Sequence, residues 1–324
     1  MLLPAIETWK QWGAMFTSVP HWTPAVQEIC RRTGISARHI EAGYPGTNAV
    51  FVLDQTYVVK IYAPFCHADF ELERALYPIV SEHTRIPSPR LLAQGVLVDA
   101  IRWPYIVMDY KPGQPIREVR PRLGTDDLLD LASTLGAMVR QLHQIPLRRL
   151  ARVRHARDEW AVWRQLRMKR CIDELRREAG LPAQLLDEID AFLRSQTWEQ
   201  DARMVLVNGD LTEDHILMEK HAGRWRISGL LDFADALIAP REYEWIALWF
   251  GALESHAGEL QAFMRGYDPN LSLDDAFFHR ALAFTFLHQF GAGIIATTLE
   301  RLGRPRVRSL PELSEILWGF SASW

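Results

Sequence analysis

Between Val207 and Leu217 the chain reads VNGDLTEDHIL: an apolar run ends in a glycine, and Asp210, Glu213, Asp214 and His215 follow before Ile216 and Leu217. Twenty-two residues after Asp210, a second apolar run, ISGLLDFADA, delivers Asp232 and, after small residues, Asp235. Phosphoryl transfer uses such a set. One carboxylate orients and deprotonates a hydroxyl, and the other groups hold a metal ion that spans the nucleotide phosphates. Upstream, Lys60 stands in YVVK on an expected strand and Glu73 on the next expected helix. A lysine whose stem is fixed by a carboxylate can hold phosphate oxygens. Taken singly, these residues have plainer readings: a snorkelling strand-edge lysine for Lys60, a helix cap for Asp210 or Asp232. Their combined order carries the signal.

The elements that must position them follow from periodicity and turn chemistry. TPAVQEICRRTG (23–34) reads as a helix with Thr23 as cap, Pro24 at the first helical position and Gly34 as terminator. AVFVL and YVVKIY, separated by Asp54-Gln55-Thr56, read as a hairpin or meander. HADFELERALYPIV (67–80) is helical, strands resume over 86–110, and KPGQPI (111–116) is a breaker-rich joint. Thr125 begins a long helix to 146, with Leu128, Leu131, Leu135, Val139 and Leu142 on one face. A helical, arginine-rich insert spans about 147–200; its run Arg148, Arg149, Arg152, Arg154 and Arg157 reads as a solvated face rather than a phosphate contact. Strands return around Asp210 and Asp232, and 240–324 reads as helical. ALAFTFLHQFGAGIIATTLE (281–300) reads as one buried core helix, because His288, Gln289 and two glycines interrupt it as a membrane span.

This order resembles the aminoglycoside phosphotransferase and choline kinase family, the small-molecule branch of the protein-kinase-like fold. The resemblance runs from about residue 40 to 250. GYPGTNAVFVL matches the loop that covers the nucleotide, Lys60 the phosphate-binding lysine, and Glu73, with Glu71 as alternative, its helix partner. PYIVMDYKPGQPI matches the hinge, LGAMVRQLHQIP the helix ending in Leu-His-x-x-Pro, NGDLTEDH the catalytic loop, and GLLDFADA the metal-binding segment. The resemblance implies an α+β, bilobal protein-kinase-like fold, with a β-rich N-terminal lobe and a mainly helical C-terminal lobe. The nucleotide-binding lobe would span 1–110, with a helical extension over 1–36, and the catalytic and substrate-binding lobe 111–324. It further implies Asp210 as catalytic residue, Lys60, Glu73, Gly46, Thr47, Asn48, Val58, Met108 and Tyr110 around ATP or GTP, and Asp232 with His215 around Mg²⁺ or Mn²⁺.

Two residues depart from the family pattern. Asn208 replaces a histidine that supports the loop, and an amide side chain can also donate and accept. His215 replaces a metal-binding asparagine, although Mg²⁺ prefers oxygen ligands. It could ligate a metal, donate to a phosphate, or cede the role to Glu213 or Asp214. These departures leave a second class open: a nucleotide-binding sensor or scaffold with weak catalysis. A protein kinase does not fit, because Ala239-Pro240 follows Asp232 by only seven residues, which leaves no room for an activation segment. Glu244 is expected to brace the catalytic loop.

Composition narrows the acceptor. The net charge of −3 divides into +4 for residues 1–198 and −7 for 199–324. No nucleic-acid partner is called for, and an amine-bearing, hydroxylated small molecule suits the acidic half. Trp245, Trp249, Phe250 and Phe290 could line a cleft, although aromatics at helical spacing usually pack in the core. Three scattered cysteines and a start without a basic, apolar leader predict a cytoplasmic protein that meets no membrane.

Overall fold

The computed structural model describes residues 3, 6, 8–44, 46–150, 160–198 and 203–320. It is mixed α and β, with a sheet-rich N-terminal region and a mainly helical C-terminal region. The described residues fall into two compact units. One comprises those of Met1–Arg122, Arg148–Arg157 and Asp214–Ala236; the other comprises those of Leu123–Leu147, Asp158–Glu213 and Leu237–Trp324.

The first unit is built on an antiparallel sheet of β1 (Ile40–Ala42), β2 (Ala49–Leu53), β3 (Tyr57–Ile61), β4 (Leu91–Val98) and β5 (Arg102–Asp109), in the order β1-β2-β3-β5-β4. The hairpin between β2 and β3 turns at Asp54 and Gln55, with φ of 50° and 48°. Two successive positive φ values match the right-handed twist of the strands. The Asp54 carboxylate holds the turn by accepting from the Arg38 and His39 amides at 2.9 and 2.8 Å. β3 is the central strand, so the edge-lysine reading of Lys60 does not hold.

The N-terminal helix spans Val19–Thr33, not 23–34: Ser18 is its N-cap residue, and Thr23 lies inside, its hydroxyl donating to the Val19 carbonyl. Gly34 ends it in the left-handed conformation, φ 71°. Trp12, Trp22 and Trp103 bind this extension to the sheet, with ring centroids 5.3 to 5.9 Å apart. The helix His67–His83 carries Glu73. A small sheet of β6 (Gln114–Pro115), β8 (Ile216–His221) and β9 (Arg224–Leu230) completes the unit.

In the second unit, β7 (Met204–Val207) pairs antiparallel with β10 (Leu237–Pro240). The sequence pattern does not announce β10, a four-residue strand that ends in proline. The helix Thr125–His143 packs on β7, and the rest of the unit is formed by the helices Trp160–Glu174, Ala183–Ser195, Ala257–Tyr267, Asp275–Leu287, Gly291–Arg301 and Leu310–Trp318. Gly124, not Thr125, is the N-cap of the first, and its amide donates to Asp127. Arg148 and Arg149, which belong to the first unit, are exposed on a short turn; Arg152, Arg154 and Arg157 lie outside the described residues.

The single helix expected over 281–300 is in fact two, Asp275–Leu287 and Gly291–Arg301, bent by 106°. No single helix among the described residues is long and apolar enough to cross a membrane. Two features fix the break. A Cβ on Gly291 would collide with the Thr285 carbonyl oxygen, and the buried Arg167 guanidinium donates to the Leu287 and His288 carbonyls, both at 2.9 Å. Without Arg167 the Leu287 carbonyl would be an unsatisfied helix-end group, whereas the His288 carbonyl also accepts from the Gly291 amide at 2.9 Å.

A second close approach matters for the site. Gly136 on Thr125–His143 and Gly266 on Ala257–Tyr267 face each other's helix so tightly that a Cβ would strike the Phe263 or Ser133 carbonyl oxygen, respectively. Gly136→Ala and Gly266→Ala should each destabilise the protein by about 2–3 kcal/mol, as overpacking typically does. Thermal unfolding should then start several degrees lower, roughly 2–4 °C per kcal/mol; wild-type melting in both variants would show that the helices can part at no cost.

His288, at the break, is fully buried, stacks on Tyr243 at 4.6 Å, and accepts from the Phe290 amide through Nδ1 at 3.3 Å. Burial pulls its pKa from 6.5 down to about 3, against a smaller opposing pull from the Gly209 backbone. The unfolded chain therefore binds this proton first. Stability from a neutral His288 is complete above about pH 6.5 and falls by roughly 1.4 kcal/mol per unit as pH drops toward 3. Urea unfolding at pH 7 and pH 5 should show a steeper loss in the wild type than in His288→Gln; parallel losses would assign the acid sensitivity to other groups.

Candidate active site

Lys60 sits in the middle of β3, opposite Val50 of β2 and Ile106 of β5. It is 5% exposed, and a cation so placed needs counter-charges. It has two: Nζ lies 2.6 Å from Glu73 Oε2 and 3.1 Å from Asp232 Oδ2. Glu71 is turned away and pairs with Arg74 at 2.6 Å. The Lys60 partner on the helix is thus Glu73.

Asp232 lies two residues past the end of β9, in the left-handed region at φ 58°. Aspartate tolerates this better than most side chains, and here Oδ1 accepts from the Ala234 amide at 2.9 Å. The side chain is 32% exposed, against 0% for Glu73, so Asp232 is the member of the trio that faces out. Burial opposes its charge, but Lys60, then His215 and the Ala234 amide, outweigh that and hold the carboxyl below the usual range. Burial likewise opposes the Lys60 charge, and Asp232 and Glu73 override it, so the ammonium is retained. Glu73 moves upward: burial and Asp232 disfavour its charge, and Lys60 restrains the shift.

His215 enters β8, and its carbonyl accepts from the Leu231 amide at 2.8 Å, which ties the start of β8 to the Asp232 turn. Asp214 is held by Arg117 in an ion pair. Among the described residues no group of three or more His, Cys, Asp or Glu side chains gathers as a metal cage.

The remaining sequence-derived nucleotide contacts also lie in this unit. Gly46 is exposed, and a Cβ there would meet nothing. The Thr47 carbonyl accepts from the Trp12 indole at 2.7 Å, so the N-terminal extension pins the loop before β2. Asn48 is buried at the foot of β2. Val58 and Met108 are direct partners across β3 and β5. The half-buried Tyr110 donates its amide to the Thr56 carbonyl at 2.9 Å.

Asp210 belongs to the second unit. β7 leads into Asn208, then Gly209 at φ 79°, then the half-buried Asp210. The Asn208 side chain accepts from the Asp210 amide at 3.0 Å, and the Asp210 carbonyl accepts from Thr212 at 2.8 Å. Behind the loop, the fully buried Glu244 takes the Asn208 amide at 2.7 Å and the Gly209 amide at 3.1 Å. His143 meets Glu244 through Nε2 at 3.3 Å and the Tyr267 hydroxyl through Nδ1 at 2.9 Å. The carboxylate therefore fixes backbone N–H groups, and the glycine-to-glycine helix contact brings Tyr267 to His143. The Leu-His-x-x-Pro stretch draws attention to His143, but nothing in the sequence discloses its partners. Trp245 and Trp249 are core residues; Phe290 is exposed at 46%.

Residues 37–278 match the sequence profile of the phosphotransferase enzyme family APH. Sequence comparison with curated proteins gives no match. Among solved structures, the chain resembles the GDP complex of wild-type aminoglycoside 2'-phosphotransferase-IIIa, with TM-score 0.69 and 19% identity over 92% of this chain and 98% of that one. It also resembles the streptomycin–ATP–APH(2")-IIa ternary complex, with TM-score 0.61 and 15% identity over 90% and 97%. A third is the macrolide 2'-phosphotransferase MphH from Brachybacterium faecium, with TM-score 0.56 and 17% identity over 90% and 97%. These likenesses establish a shared kinase-like fold, and the profile match over most of the chain establishes that the protein belongs to the APH phosphotransferase family.

Proposed function

We propose that this small-molecule kinase transfers the γ-phosphate of ATP or GTP to a hydroxyl of an aminoglycoside-like or other amine-bearing molecule in the cytoplasm. One observation carries the reading: a buried lysine held by Glu73 and aimed at a half-exposed Asp232. Relatives of the same fold, solved with GDP and with ATP and streptomycin, support a purine nucleotide and an amine-bearing acceptor. The net −7 of residues 199–324 suits a cationic acceptor. The three cysteines are buried and unpaired, in keeping with a reducing compartment.

In this reading Lys60 takes a phosphate oxygen, and Gly46, Thr47, Asn48, Val58, Met108 and Tyr110 enclose the nucleotide. Asp210 orients the acceptor hydroxyl and receives its proton, while Glu244 holds the loop amides so that the carboxylate keeps its aim. Asn208 keeps the loop's shape by accepting from the Asp210 amide, which favours catalysis over a sensor that only binds nucleotide. A divalent cation suits Asp232, because Mg²⁺ is usually held by one or two carboxylates together with substrate phosphates rather than by a cage of side chains. When bound, it would supply charge stabilisation on the transferred phosphate. Asp232 would hold it, with His215 as second ligand.

Asp210→Asn should lower turnover by about 10²–10⁴-fold and leave nucleotide affinity close to that of the wild type. A panel of aminoglycosides, amino alcohols and sugars, read by nucleoside diphosphate release, gives the assay; a variant that keeps most of the turnover would remove Asp210 from the mechanism. Asp232→Ala should abolish the dependence of nucleotide binding on Mg²⁺ or Mn²⁺. Calorimetric titration of each metal into nucleotide-loaded protein checks this, and unchanged metal dependence would place the ligands elsewhere.

A further inference from the structure

The ion pair between Lys60 and Glu73 is only part of what surrounds Glu73. Its carboxylate is fully buried and receives four donors. Oε2 accepts from Lys60 Nζ and from the Tyr62 hydroxyl, each at 2.6 Å. Oε1 accepts from the Tyr77 hydroxyl at 3.0 Å and the Phe233 amide at 3.3 Å. Each partner of the ion pair thus brings its own tyrosine. Tyr62 follows Lys60 by two residues and lies on the same side of the chain as it leaves β3. Tyr77 stands one helical turn after Glu73. Both tyrosines are buried, and burial together with the Glu73 charge pushes both phenols well up, so they serve as donors throughout the working pH range. The Tyr77 ring also packs edge-on against Phe233 at 5.5 Å, beside the Asp232 turn.

One ammonium here faces two carboxylates. A buried carboxylate needs several donors. Without the hydroxyls Glu73 would have to draw more fully on Lys60 or take up a proton, and in the second case Lys60 would turn to Asp232. Either change withdraws the ammonium from a third partner. We propose that Tyr62 and Tyr77 are positioning residues for Lys60: their hydroxyls satisfy Glu73, so the ammonium is aligned by that carboxylate yet remains able to take a nucleotide phosphate oxygen. The inference rests on the reading of Lys60 as the phosphate-binding lysine.

The test is a set of nucleotide titrations, with ATP and with GTP, on the full-length protein. Tyr62→Phe and Tyr77→Phe remove one oxygen each and keep the ring. Each should weaken nucleotide binding several-fold and the double change about ten-fold or more, the scale of hydrogen bonds to a charged group. In a Glu73→Gln background the same two changes should shift affinity by less than two-fold, because the carboxylate they serve is gone. A merely structural role would shift both backgrounds equally, and that result overturns the proposal, as would wild-type affinity in the double variant. Lys60→Met separates the two readings. If it leaves affinity unchanged, the phosphate role of Lys60 fails and this inference falls with it. If it weakens binding while the tyrosine variants do not, only the positioning role is lost. Should the double variant unfold, the single changes in the two backgrounds give the same comparison.

Discussion

A lysine in the centre of a sheet is the constraint around which the first unit is organised. Lys60 on β3 has neighbours on both sides and almost no access to water. A buried cation persists only if the chain brings counter-charge to it, and removal of one partner from such a pair typically costs about 3–5 kcal/mol. The helix His67–His83 supplies Glu73, and the turn after β9 supplies Asp232. The second of these comes from 172 residues away in sequence. The sheet, the helix and the small β8–β9 ribbon are therefore held in one unit by a charge balance as well as by apolar packing. The left-handed backbone at Asp232 is tolerated because the same carboxylate serves the Ala234 amide and the Lys60 ammonium at once.

The second unit applies the same device to a different end. Glu244 is as deeply buried as Glu73, but most of its donors are backbone amides, those of Asn208 and Gly209. Here the carboxylate fixes a loop rather than a side chain. Its third donor, His143, is backed by Tyr267, and Tyr267 reaches that point only because Gly136 and Gly266 let two helices touch along their backbones. In both units a buried glutamate with three or more donors stands one step behind a residue assigned to chemistry. Fully satisfied polar clusters of this kind are rigid, whereas partly satisfied ones are costly. Each unit thus holds its own loop or side chain by a satisfied polar cluster. The chain passes from Asp232 to β10 in four residues, and β10 pairs directly with β7, the strand that leads to Asp210.

Much of this was legible in the sequence. Apolar runs ending in acids located β7 and β9, the Asp54-Gln55 break located the hairpin, and Gly34 located a helix end. Lys60, Glu73, Asp210, Asp232 and Glu244 were singled out by residue type, order and resemblance, and the structure places Lys60, Glu73 and Asp232 in direct contact. Where the sequence misled, it did so at places that local pattern does not control. Thr23 looked like a helix cap, but the helix begins earlier because its first turn packs Trp22 against the sheet. Residues 281–300 looked like one interrupted helix; His288, Gln289 and Gly291 mark the place of the break, but the Arg167 guanidinium that takes the Leu287 and His288 carbonyls comes from far away in the chain.

The sequence by itself determined the inventory: which side chains can donate, accept, carry charge or turn the chain, and in what order along it. Those are properties of single residues and of neighbours within a few positions. Only the tertiary structure decided the choice between Glu71 and Glu73, the four donors on Glu73, the link from Tyr267 through His143 to Glu244, and the pairing of Asp214 with Arg117. Each of these is a contact between residues whose burial and direction are set by elements packed from distant parts of the chain. A carboxylate's role depends on how many donors reach it after water is excluded, and that number exists only once the chain has folded.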